Sequence, residues 1–153
     1  MQIKIISVGK VKQQFVLDGE GEFLPRLKSD LKLELIEVEG GSNLPEAQAK
    51  AKEGAAVLAK LKPNDLFVVL DETGKSLSSP GFAQFFQTEM SRGKSSFVFA
   101  IGGFHGWDPE VLKRAHRLVS LPCLTFTYQM TRLILVEQIY RAMTIIKGVP
   151  YHR

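Results

Sequence analysis

The sequence predicts an α/β fold, a parallel-type sheet flanked by helices in one domain over residues 1–153, and three observations carry that reading. Segments with the two-residue period of strands alternate with segments of helical period, the order that builds βαβ units. Two of the strand-like runs, Leu66–Leu70 and Ser96–Ile101, are apolar throughout, as in strands covered on both faces. Glycine, proline or asparagine punctuates almost every boundary, with no linker, repeat or low-complexity stretch between.

Element by element, Gln2–Val8 alternates apolar and polar residues and stops at Gly9, which predicts a strand. Val11–Lys28 has a helix-compatible pattern, with Phe15, Phe23, Leu24 and Leu27 as its apolar contacts. Leu31–Glu39 alternates again until Gly40-Gly41, and Pro45 opens a helix rich in Ala, Lys and Glu that runs toward Lys62. A Pro63-Asn64-Asp65 turn precedes Leu66–Leu70, and Asp71–Lys75 predicts a polar loop leading through Ser78-Ser79-Pro80 to a helix over Gly81–Arg92. Ser96–Ile101 ends at Gly102-Gly103. Asp108-Pro109-Glu110 supplies an N-cap, a proline and an acid in the first turn, so Pro109–His116 is predicted helical. Leu118–Leu121 is a short strand, and Met130–Lys147 is a long helix closed by Gly148 and Pro150. That helix is apolar nearly all round, so one face serves the core and the remainder points to burial against a second subunit.

With 44% hydrophobic and 24% charged residues, a disordered tail, a collagen-like fibre and a coiled-coil rod are excluded. One cysteine, Cys123, makes no internal disulfide and no cysteine-based zinc site, and it reads as a small core residue. There is no secretory leader pattern and no apolar run of roughly 20 residues, so the expectation is a soluble cytoplasmic protein with no membrane segment. The formal charge is +4, but residues 109–153 carry seven basic residues against two acidic ones, which points to a polyanionic partner near that third of the chain. A solvated basic face is the plainer alternative.

In an open α/β sheet, ligands sit at the carboxyl ends of the strands. Here the candidates are Leu70-Asp71-Glu72, Ile101-Gly102-Gly103 and Leu121–Tyr128. Gly102-Gly103 allows close approach of backbone to a ligand, although a turn uses the same residues. The dinucleotide-binding fingerprint, the phosphate-binding P-loop and the hydrolase nucleophile elbow are all absent from the sequence. His105, His116 and His152 have no metal-ligand spacing, and His116 reads as a surface residue on an amphipathic turn. Tyr151-His152-Arg153 is either a frayed end or a stacking ring, an imidazole and a guanidinium suited to a nucleotide.

The stretches IGGFHGWDPEVLKRA and SLPCLTFTYQMTRLILVEQIYRAMTIIKGVPYHR, with the opening IKIISVGK and the segment FVVLDETGK, resemble one family along essentially the whole chain. It is the small single-domain SPOUT methyltransferases, which methylate N3 of a pseudouridine in bacterial large-subunit (23S) ribosomal RNA. Glu137–Ala142 and Tyr151-His152 are its most specific pieces. The resemblance implies a deep C-terminal trefoil knot, an obligate homodimer, S-adenosylmethionine as methyl donor, no metal, and a ribosomal RNA target presented on the assembled ribosome. It places the cofactor against Leu70, Gly103 and the loop Pro122, Cys123, Leu124, Thr125, Phe126 and Thr127. It gives the catalytic work to His152 and Tyr151, with Arg132 or Arg141 stabilising the anionic base and Asp71 and Glu72 as rival proton acceptors. Where the family has Leu-Pro-His-Gln, this chain has Phe126-Thr127-Tyr128-Gln129. Losing the proline relaxes the loop, losing the histidine removes a titrating group, and Tyr128 keeps a donor and a ring. Two other classes remain open on these residues: a catalytically inactive RNA- or ribosome-binding protein of the same fold, and a flavodoxin-like domain that binds a small ligand.

Overall fold

Five strands, β1 (Gln2–Val8), β2 (Lys32–Val38), β3 (Leu66–Ser76), β4 (Ser96–Ile101) and β5 (Arg117–Ser120), form one all-parallel sheet in the order β2-β1-β4-β3-β5. The structure, a computed structural model, describes residues 1–121 and 124–153. Helices α1 (Gln14–Leu27), α3 (Ser79–Ser91) and α5 (Tyr128–Lys147) cover one face; α2 (Glu46–Leu58) and α4 (Pro109–Arg114) cover the other. The strand side chains divide by their two-residue period. Ile3, Ile5, Val68, Phe97 and Phe99 meet Leu27, Phe82, Phe86, Leu135 and Ile139 on the first face. Ile6, Val69, Val98 and Ala100 meet Val57 and Val111 on the second.

Strand β1, flanked by β2 and β4, is buried along nearly its whole length, polar residues included. Lys4 survives there because it faces Asp65 at 3.5 Å. Burial works against the Asp65 charge, but the Ser96 hydroxyl, the Lys62 N–H and Lys4 outweigh it and hold the carboxyl below its ordinary range.

Several elements differ from the pattern-based bounds, each for a tertiary reason. Helix α1 begins at Gln14 rather than Val11, because the N–H groups of Val11, Lys12 and Gln13 go to the side chains of Glu37 and Gln129. Asp71–Lys75 is not a free polar loop: Val119 pairs with both Leu70 and Lys75, so the intervening residues bulge outward and the strand resumes. Gly74 is required at that crossing, since a Cβ there would lie 2.5 Å from the Val119 nitrogen. Asp71 accepts bonds from the Thr73 N–H and hydroxyl, which makes it a turn residue of the bulge. Helix α3 starts at Ser79, two residues early, because the Ser78 hydroxyl caps it.

Helix α4 ends at Arg114, not His116, because the sheet takes His116. Its N–H donates to the Phe67 carbonyl and its Nδ1 accepts the Phe67 N–H at 2.9 Å. The bond to Nδ1 needs that nitrogen unprotonated. Burial first, then the charges of Arg114, Lys94 and Arg117, hold the ring below its ordinary 6.5. The unfolded chain therefore binds this proton at a pH where the folded chain does not, so His116 stabilises the fold above 6.5 and this contribution is lost as pH falls through that value toward the lower folded one. Denaturation midpoints measured from about pH 7.5 down to about pH 5 are expected to decline in the wild type. His116→Asn, which keeps an acceptor for Phe67, is expected to flatten that part of the decline.

Candidate active site

The carboxyl ends of β3 and β5, with α3 and α5 beside them, enclose a cleft of about 380 Å3. Leu70, Phe82, Phe99, Val119 and Ile134 make its apolar wall; Ser78, Ser79, Ser120 and Gln138 are its polar points. Its size and apolar lining with few polar groups are those of a small-molecule site. No lysine, arginine or carboxylate lines it among the described residues.

Of the residues expected to hold a cofactor, Leu70 and Phe126 line the cleft. Leu124 and Thr125 stand exposed outside it, and Pro122 and Cys123 lie outside the described residues. The Thr127 hydroxyl accepts the Met130 N–H and caps α5. Gly103 does not line the cleft, and the space before its Cα is taken. A Cβ there would lie 2.8 Å from Glu53 Oε2, and one on Gly102 would lie 3.0 Å from the Trp107 indole. Only glycine fits at these two positions without displacing this chain's own side chains. Trp107, which no sequence motif singles out, also donates from Nε1 to the Leu70 carbonyl at 2.9 Å and so pins the end of β3.

The C-terminal tail is folded back, not frayed. Gly148 turns out of α5 at φ 68°, where the left-handed region suits glycine. Tyr151 then packs edge-on against Tyr140, with ring centroids 4.8 Å apart, and donates its hydroxyl to Glu137 Oε1 at 2.9 Å. Arg141 donates to the same oxygen at 2.6 Å and lies 4.7 Å from the Tyr151 ring centre. The Glu137 hydrogen bond, ahead of burial, raises the Arg141 pKa; burial first and then Glu137 keep the Tyr151 phenol protonated to higher pH than usual. His152 Nδ1 sits 3.3 Å from Arg141 Nη1, and since a guanidinium has no lone pair, Nδ1 is the acceptor. A polar chain joins this cluster to the cleft, from Ser79 to Gln138 at 2.6 Å and from Gln138 to Glu137 at 2.6 Å. Three of the four expected catalytic residues, Arg141, Tyr151 and His152, are therefore brought together.

The chain matches the family described as "Predicted SPOUT methyltransferase" over residues 1–152. The chain belongs to the SPOUT methyltransferase family. Proteins named ribosomal RNA large subunit methyltransferase H from Acetivibrio thermocellus, Carboxydothermus hydrogenoformans and Enterococcus faecalis are similar to it at 44%, 43% and 42% identity, each over the whole of both chains. Among solved structures, one titled as a probable methylase family protein from Haemophilus influenzae Rd KW20 has the same fold, with a TM-score of 0.55 at 10% identity over 99% of this chain and 70% of that one.

Within this family's C-terminal segment, Arg132 stands apart from the other three. It is 3% exposed, and its Nε and Nη2 donate to the two carboxylate oxygens of Glu20 at 2.6 and 2.9 Å while Nη1 donates to Glu37 at 3.0 Å. Burial opposes the charge, but the two carboxylates outweigh it and raise the Arg132 pKa. A guanidinium so enclosed presents no accessible donor to a substrate base, so its role is structural. The departure at Thr127-Tyr128 also finds its place. Thr127 caps the helix where proline would have stiffened the loop, and Tyr128 donates to the Lys10 carbonyl at 2.6 Å with its ring against Gly9. Gln138, Ser79 and Glu137 are site residues that side-chain chemistry alone did not single out, though two of them lie in the Glu137–Ala142 motif.

Space around α5 is also fuller than its all-round apolar pattern predicts. Its apolar residues from Leu133 to Ile146 are buried or half-buried by α1, α3 and the sheet, with Leu133 lying against Gly19. Arg132→Met is expected to destabilise the fold by about 3–5 kcal/mol, because it strands the Glu20 carboxylate in the interior. Chemical denaturation reads this directly, and full stability with lost turnover would return Arg132 to the substrate.

Proposed function

We propose that this chain transfers a methyl group from S-adenosylmethionine to N3 of a pseudouridine in large-subunit ribosomal RNA, acting as a homodimer in the cytoplasm on the assembled ribosome. The observation that carries this reading is the tail cluster: an imidazole beside Arg141, whose guanidinium is held by Glu137 and Tyr151, linked by hydrogen bonds to the cleft. The relatives' names supply the substrate class, ribosomal RNA of the large subunit.

The residues fit a sulfonium methyl donor. The lining holds no cationic side chain that would repel a sulfonium, its apolar wall suits a flat ring, and hydroxyls and an amide orient polar groups. The donor supplies a methyl that is already activated, so no metal is needed. The chain's own part is to hold the acceptor nitrogen near the cleft and manage its proton. In this reading Leu70, Gly103 and the 122–127 loop contact the donor through their backbone. The Nδ1 lone pair of His152 leaves Arg141 and takes the N3 proton, which gives an imidazolium, and Arg141 then faces the charge left on the base. Glu137 and Tyr151 keep Arg141 in place. The target nucleotide must leave its stack to reach the site. A C-terminal segment threaded as a knot belongs to the same reading.

Incubation with labelled S-adenosylmethionine and ribosomes, followed by mapping of the product, is expected to place one methyl on N3 of a pseudouridine. His152→Ala is expected to lower the rate by roughly 100-fold, as loss of a general base does, with donor binding by calorimetry unchanged. Unchanged turnover in that variant would move the search to Glu72. The dimer is tested separately: sedimentation at micromolar concentration is expected to give twice the chain mass, and a folded monomer would overturn it.

A further inference from the structure

The Gly102–Trp107 loop displays an aromatic pair with no role in the fold. Phe104 and His105 occupy the two corners of a β-turn closed by the Gly106 N–H on the Gly103 carbonyl at 3.2 Å, with Gly106 at φ 78°. Phe104 is 94% exposed, the largest exposure of any large apolar residue among those described, and its contact is the edge of the His105 ring at 5.1 Å between centroids. Nothing in the core gains from a phenylalanine there, and water is a poor solvent for it. The loop is rigidly mounted, since Trp107 is buried beneath it and Asp108 caps α4 immediately after.

The turn also stands beside a cationic loop. β1 and β4 are adjacent, Ser7 pairing with Ile101, and three residues beyond that pair stand Lys10 on one strand's exit and Phe104 on the other's. The β1 exit leads to α1 on one face and the β4 exit to α4 on the other, so the two loops part at the carboxyl edge of the sheet. Lys10 and Lys12 are exposed, and neither forms an ion pair among the described residues. The nearby acids are engaged, Glu46 with Lys50 and Asp108 with the Glu110 N–H. Tyr128 bonds the Lys10 carbonyl two residues after Phe126 of the cleft wall, which fixes this loop to the rim of the methyl-transfer site.

We infer that the Phe104–His105 turn is a nucleobase-stacking platform and that Lys10 and Lys12 face the phosphates of the same unpaired RNA segment. An exposed ring accepts any base on its face, and flanking lysines follow the backbone. The inference rests on the ribosomal RNA reading above and adds to it the place where an unpaired strand is gripped.

The test uses the full-length protein with ribosomes and with a single-stranded RNA oligonucleotide, binding being measured at several salt concentrations. Phe104→Ala is expected to weaken binding about tenfold and Phe104→Trp to retain it, the size of effect that one lost base stack produces. Lys10→Glu with Lys12→Glu is expected to weaken binding and to flatten its logarithmic salt dependence by about one to two. Melting temperature, donor affinity and sedimentation are expected to stay at wild-type values in all three. Wild-type RNA affinity in Phe104→Ala overturns the platform, and so does a change in donor affinity or association state in its place. Because binding is read without turnover, a protein that grips RNA through Phe104 yet transfers no methyl sinks the methyltransferase reading alone. One that methylates ribosomes with Phe104→Ala unimpaired sinks this one alone.

Discussion

Arg132 is the point at which three elements are tied inside the molecule. Its guanidinium lies on α5, the carboxylate it grips with two donors on α1, and the third partner on β2. A buried charge of this kind must be matched, because leaving water without partners is worth several kcal/mol per ion. The geometry that matches it admits one axial and rotational setting of α5. From that setting the rest of the first turn follows: Gln129 takes the N–H groups of Lys12 and Gln13, Tyr128 takes the Lys10 carbonyl, and Glu37 takes the Val11 N–H. The β1–α1 loop is thereby held by its backbone while its lysine side chains stay in water.

One helix then serves the cleft and the tail together. Ile134 and Gln138 stand four residues apart on the side that faces the cleft, and Glu137 and Arg141 stand four apart on the side that receives Tyr151 and His152. Neighbouring positions on the helix surface make the Gln138–Glu137 link between the two. A ligand held largely by apolar walls and loop backbone would need no signature side chain, and no nucleotide-binding motif stands in this chain of a methyltransferase family.

Charge behaves differently in sequence and in space. The surplus of basic residues after Pro109 points to a polyanion, yet Lys113, Arg117, Arg132, Arg141 and Lys147, five of the seven, are each paired with a carboxylate, and three of them find it outside their own element. Lys10 and Lys12, from the half of the chain with near-neutral balance, form no ion pair among the described residues and stand at the carboxyl edge. Sequence position is a poor guide to field when partners come from distant strands.

What the sequence determined by itself is whatever depends on near neighbours. The alternation of strand and helix, the buried run Ser96–Ile101, the Asp108 cap with its proline, and the glycine stop after Lys147 all rest on groups within a few residues, and each stands where the pattern puts it. The tail was open on local pattern, and its packing on Tyr140, Glu137 and Arg141 comes from residues 10 to 14 positions back on α5. The tertiary structure alone decided the start of α1, the return of β3 past its bulge, the capture of His116 by the sheet, the filling of the space before Gly103 by Glu53, and the enclosure of Arg132. In each case the deciding partner is remote in sequence, 112 residues away for Glu20 and Arg132 and 49 for Phe67 and His116. No local period or propensity carries information about a hydrogen bond that exists only once the sheet has brought its two ends together.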